Sequence, residues 1–151
     1  MNRPSRRTIV RSLVLLAAAS PFAFARRAIA AEKSPLAIKG YDPIAYFTAG
    51  KPMRGLPEIE YEWDERRYRF IRVEHRDRFK ADPVRYAPQF ANFCAMALSM
   101  GELVEADPEN WLISDGKLYI FGKPTGPALF KRDAVGNLAK ANQNRALTQT
   151  R

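Results

Sequence analysis

The chain has 151 residues, 25 basic and 16 acidic, a formal net charge of +9 with its single histidine neutral, and one cysteine. That length suits one domain, and a lone cysteine excludes an intramolecular disulfide. Six of the basic residues and none of the acidic ones fall within residues 1–31, so the remainder carries only +3; its densest basic run, Arg66 to Arg78, is interleaved with Asp64, Glu65, Glu74 and Asp77, which argues against a nucleic-acid-binding face.

Residues 1–31 read as an export signal. A basic start containing Arg6-Arg7, followed by Thr8-Ile9-Val10, leads into an apolar run from Ser12 to Ala25 and closes on Ala28-Ile29-Ala30-Ala31. The arginine pair in this setting is the mark of the twin-arginine route, which carries folded proteins. The apolar run is shorter than the roughly 20 residues a bilayer crossing needs, and Arg26-Arg27 follow it. No stable membrane anchor is therefore expected after cleavage near Ala30. The predicted location is the periplasm or the secreted fraction, where an unpaired Cys94 is exposed to oxidants unless it is buried or engaged.

Residues 32–143 read as one domain. Asp42-Pro43 fits a helix N-cap followed by the first helical residue, and the short helix through Phe47 is ended by Gly50. Ile59, Tyr61 and Trp63 alternate with Glu58, Glu60 and Glu62, a half-buried strand. Asp64-Glu65 turns the chain and Arg66 to Ile71 returns with Tyr68 and Phe70 on one face. A helix spans Val73 to Ala81, with Val73 or Arg72, His75 or Arg76, and Phe79 inward. Asp82-Pro83 starts a turn that directs Tyr86 inward. Pro88 to Met100 is apolar and reads as a central strand or a buried irregular segment. Asp115-Gly116 between Trp111-Leu112-Ile113 and Lys117 to Phe121 is a second hairpin signal. Pro124 to Arg132 and Ala134 to Gln143 read as closing helices, and 144–151 as a frayed tail. No internal repeat and no low-complexity segment is legible. The predicted class is α+β, a small antiparallel sheet of hairpins with short helices packed on it. Trp63, Tyr68, Phe70, Phe79 and Tyr86 are expected to supply much of the core.

The spacing Tyr68-x-Phe70, Phe79, Pro83, Tyr86 resembles the core of the YHS family, and Asp42-Pro43-Ile44 resembles that family's opening Asp-Pro-Val. Gly40-Tyr41-Asp42-Pro43-Ile44-Ala45-Tyr46-Phe47, Tyr86-Ala87-Pro88-Gln89, Phe93-Cys94-Ala95 and Trp111 with Asp115-Gly116-Lys117-Leu118-Tyr119 are similar to the exported, stand-alone YHS-like proteins of bacteria. The resemblance runs from about Leu36 to Phe121 and implies a domain that handles a metal. The positions of three cysteines found in other members fall here on Ala45, Ile71 and His75, and the Tyr-His-Ser signature is absent. Ala91-Asn92-Phe93-Cys94-Ala95 stands where the exported branch has Gly-Gly-Tyr-Cys-Ala.

Cys94, Met96 and Met100 would share one face of an extended segment. Thiolate and thioether donors favour Cu(I), and His75 would add an imidazole, so the candidate metal ligands are Cys94, His75, Met96 and Met100, with copper the implied cofactor. The competing reading makes Met96 and Met100 core filler and Cys94 a small packed residue. The domain is then a module for a small ligand or a protein partner, with Tyr41, Tyr46, Tyr61, Trp63, Tyr68 and Trp111 as pocket or core. A cysteine enzyme would need Cys94 beside a base, and His75 is the sole imidazole. No nucleophile elbow, phosphate loop or zinc spacing is present, so no catalytic residue is assigned.

Overall fold

The computed structural model describes residues 33–149; residues 1–32, on which the expected export signal falls, and residues 150–151 lie outside the described residues. Among the described residues the fold is α+β: six short α-helices pack on two antiparallel hairpins, each its own two-stranded sheet. The first hairpin pairs β1 (Leu56–Trp63) with β2 (Arg66–Phe70), and the second pairs β3 (Asp107–Ser114) with β4 (Lys117–Phe121). Both turns need two residues in the left-handed region, as tight hairpins with the native strand twist do. Asp115 and Gly116 adopt φ 50° and 69°, and Asp64 and Glu65 adopt φ 50° and 56°.

Helix α1 (Pro43–Thr48) begins as predicted: Asp42 Oδ1 accepts from Ile44 N at 2.8 Å, and Pro43 occupies the first turn, where no N–H is needed. Helix α2 (Val73–Ala81) buries His75 and Phe79, but neither Val73 nor Arg72, both exposed, continues that face. Asp82 ends α2 and caps the short α3 (Pro83–Tyr86), whose Tyr86 is buried. Helices α5 (Gly126–Arg132) and α6 (Ala134–Gln143) close the domain, with Asp133 capping α6 through Gly136 N. No helix among the described residues is long and apolar enough to cross a membrane.

Two expectations are corrected. Of the two readings of Pro88 to Met100, the irregular segment holds as far as Cys94 and the strand does not; the rest forms helix α4 (Ala95–Ser99). Ala-Met-Ala-Leu are good helix formers, Cys94 supplies a cap, and Gly101 at φ 81° stops the helix. Residues 145–149 are not a frayed end. Arg145–Gln149 form a 3-10 turn, held by Arg145, whose Nη1 donates to Gln89 O at 2.9 Å while its guanidinium lies 4.8 Å from the Phe90 ring centre.

The interior divides into two apolar clusters. The first gathers Ile38, Ile44, Tyr46, Tyr68, Phe70, Phe79 and Tyr86 with Leu118 and Ile120, and Trp63 lies half-buried against it rather than inside. Phe79 is its hub, with ring contacts to Tyr61, Trp63, Tyr68 and Phe70. The second gathers Phe90, Cys94, Leu98, Leu112, Tyr119, Phe121, Phe130 and Ala141.

The chain enters the domain through a strained turn. Ile38, Lys39 and Gly40 all have positive φ (39°, 52° and 82°). For a β-branched residue this costs on the order of 1–3 kcal/mol, so the surroundings must enforce it. Asn92 does so: its Oδ1 accepts from Ile38 N at 2.7 Å and its Nδ2 donates to Leu36 O at 3.2 Å.

Several tyrosines bind their protons more tightly in the fold than in the open chain. Burial raises the phenols of Tyr46, Tyr68 and Tyr119 above the ordinary 10.0. Tyr41 is raised first by its hydrogen bond to Glu109 and then by burial. The unfolded chain releases these protons near pH 10 while the fold retains them, so their contribution is whole below about pH 10 and is lost as pH rises above it. Melting temperature should therefore fall steeply on the alkaline side. Phenolate absorbance of these tyrosines should grow in together with unfolding, and a phenolate signal that appears well before unfolding would contradict their burial.

Candidate functional site

The most concentrated polar group in the interior is built around Asp42, which is 0% exposed. Its position follows from the N-cap of α1, which turns the carboxylate inward. Oδ1 accepts from Ile44 N, and Oδ2 accepts from Ile71 N at 2.9 Å and from His75 Nδ1 at 2.6 Å. Three donors thus satisfy a buried carboxylate, as burial of a charge requires. On the other side of the ring, Arg72 Nη2 lies 2.8 Å from His75 Nε2. A guanidinium can only donate, so Nε2 accepts and the ring is the neutral tautomer with its proton on Nδ1. His75 is 3% exposed and both its nitrogens are engaged. The arrangement ties three pieces of chain together: the start of α1, the end of β2 and the first turn of α2.

Cys94 lies in the second cluster. Its sulfur accepts from Ala97 N at 3.4 Å, and its own N donates to Val104 O. The thiol is a buried helix cap. Because 94–100 is largely helical, Cys94, Met96 and Met100 do not line one face as an extended segment would have them. Met96 is half-buried against the second cluster with its Sδ 3.9 Å from Ser99 Oγ, whereas Met100 is 61% exposed. His75, joined to Asp42 and Arg72, is not brought to this group. Among the described residues no three His, Cys, Asp or Glu side chains gather as a metal would need.

The six aromatics offered as pocket or core are mostly structural. Tyr46 donates to Pro108 O at 3.0 Å and meets Trp111 edge-on at 5.3 Å, and Tyr41 donates to Glu109 Oε1 at 2.6 Å under the guanidinium of Arg54.

Two of the six, Trp63 and Tyr68, line an open groove of about 680 Å³ whose other walls the sequence did not indicate, between the β1–β2 turn, the segment from Val84 to Ala91 and the C-terminal 3-10 turn. Trp63, Arg66, Val84, Gln89, Phe90 and Arg145 line it. Its rim depends on the ordered 145–149 turn, so a chain read as frayed there gives no signal for it.

No protein-family model matches this chain, and neither a curated protein nor a solved structure is found similar to it.

Proposed function

We propose that this is an exported YHS-like binding module whose ligand is small, carries an acidic group on a planar apolar body, and sits in the groove beside Trp63, with Cys94 as core packing. The observation that carries this is the state of the candidate donors. The thiol already caps α4, and both imidazole nitrogens of His75 are already bonded. The groove sets the half-buried ring of Trp63 beside the guanidinium of Arg66, an aromatic face with a cation next to it, while Asp64 and Glu65 share the lining and Arg145 is already bonded to Gln89 O and Asn142 Oδ1.

Two measurements test it. A naphthalene sulfonate used as a fluorescent probe should bind the folded domain saturably at one site, and Arg66→Glu should weaken it by about tenfold or more. Absence of saturable binding, or binding untouched by Arg66→Glu, defeats the reading. Reduced protein titrated with Cu(I) and Zn²⁺ against a competing chelator should behave as Cys94→Ser does, and Cys94 should resist a thiol reagent until the protein unfolds. Tight Cu(I) uptake that vanishes in Cys94→Ser while the fold persists would replace this reading with soft-metal handling.

Export is tested separately. Changing Arg6 and Arg7 together to lysine should leave the precursor in the cytoplasm, and normal export of that variant would refute the twin-arginine reading.

A further inference from the structure

We infer that the domain is a tandem duplication: two copies of one unit of about 51 residues, each serving as the other's packing partner. The first copy runs from Leu36 to Ala87 and the second from Pro88 to Leu138. This goes beyond the binding proposal and rests on different observations.

The hairpins carry the first argument. Strand limits 56–63 and 66–70 become 107–114 and 117–121 when 51 is added. All five register pairs shift by the same amount: Leu56 with Phe70 corresponds to Asp107 with Phe121, and Trp63 with Arg66 to Ser114 with Lys117. Even the irregularity is repeated, between Leu56 and Glu60 and between Asp107 and Trp111. Two unrelated hairpins have no reason to share a bulge at the same register.

The flanking chain carries the second. Each hairpin receives a parallel bridge at the matching place, Leu36 to Arg67 and Pro88 to Leu118, and each unit has an antiparallel bridge ahead of its hairpin, Tyr41 to Arg54 and Phe93 to Glu105. Asp42 N donates to Met53 O as Cys94 N donates to Val104 O; Gly55 N donates to Gly40 O as Ala106 N donates to Asn92 O. Each of these bonds is 2.8 Å long. Asp42 and Cys94 each cap the short helix that comes next. Asp82 and Asp133 share φ near −150° and ψ near 70° and cap the helices after them. The offset is 52 before these short helices and 51 after, so the second copy lacks one residue there.

Packing carries the third. Tyr68, Phe70 and Phe79 correspond to Tyr119, Phe121 and Phe130, all buried. The tyrosine meets the phenylalanine at 35° in one copy and 33° in the other, and the two phenylalanines lie 5.4 and 5.6 Å apart. With this register, ten of the 38 pairs from Gly50/Gly101 to Ala87/Leu138 are identical, among them Gly50/Gly101, Asp64/Asp115, Lys80/Lys131 and Val84/Val135.

The copies join through Tyr41 to Glu109, Tyr46 to Pro108 and Trp111, and Asn92 to the Leu36–Ile38 backbone. They have also diverged. Cys94 takes the place of Asp42, Lys123 that of Arg72 and Gly126 that of His75, so the buried imidazole and carboxylate exist in the first copy alone.

The duplication makes an unusual exchange permissible. The loops Lys51–Arg54 and Glu102–Glu105 take equivalent paths, so the first should accept the second's residues: Lys51→Glu, Pro52→Leu, Met53→Val and Arg54→Glu in one variant. It should melt cooperatively within a few degrees of wild type, while deletion of Pro52, which breaks the register, should lower the melting temperature by about 10 °C or more. An exchange variant that does not fold, or a deletion tolerated as well as the exchange, overturns the equivalence. A crystal structure gives an independent test: the two sets of bridges, caps and hairpins must superpose as single rigid bodies, and an overlay confined to the hairpins refutes the duplication.

Discussion

Phe79→Ala is expected to remove about 3–5 kcal/mol of stability, the range for deleting a buried phenylalanine ring. Phe79 is 0% exposed and stands where α2 presses on the first hairpin. Its centroid lies 4.6 Å from that of Tyr68 and 5.4 Å from that of Phe70, with Tyr61 and Trp63 edge-on at just over 6 Å. The void left by alanine is walled by these rings, which are held by two strands and cannot easily collapse into it. A urea titration followed by Trp fluorescence reads the loss directly. A cost under roughly 1 kcal/mol would mean that the ring is peripheral. Phe130→Ala, in the matching place against Tyr119 and Phe121, should fall in the same range.

Asp42→Ala should cost about 3 kcal/mol or more, because it strands three donors, each of which costs roughly 1–3 kcal/mol when buried without a partner. Ile44 N and His75 Nδ1, both buried, and the half-buried Ile71 N would all lose their acceptor. Asp42→Asn, which keeps the shape and one carbonyl acceptor, should be milder. His75→Ala in the Asp42→Ala background should cost less than it does alone, since the imidazole then has no carboxylate to serve. Equal costs in both backgrounds would show that the pair is not coupled. Hydrogen exchange at Ile71 gives a local check: its amide, just past the end of β2, should lose protection in Asp42→Ala before the strand itself does.

How far the sequence could be read depends on how local each signal is. Asp42-Pro43, Asp115-Gly116 and the alternation through Trp63 are complete within a few residues, and each appears in the structure where it was expected. Helix α2 matches its expected span because Ala81-Asp82-Pro83 punctuates it. Helix α4 was hidden because five residues are too few for a period to show, and the apolar run around it fits strand and helix alike. The coupling of Asp42 to His75 joins positions 33 residues apart, and no local pattern reports it. The repeat was hidden for a related reason. Its identities come one or two at a time, the register slips by one residue, and residues that differ in kind, aspartate against cysteine and histidine against glycine, stand in equivalent places.

The strained entry turn has a consequence for synthesis. Ile38 is held in its unfavourable conformation by Asn92, 54 residues further along. While the first half of the chain emerges from the ribosome, that clamp does not yet exist, and the Ile38 amide lacks its acceptor although Gly40 and Pro35 can already pair with Gly55 and Arg67. The amino-terminal half should therefore wait in an open state and lock only when the second half is made. A nascent chain stalled after Ala87 should be sensitive to protease around Ile38, and one long enough to expose Asn92 should become resistant there.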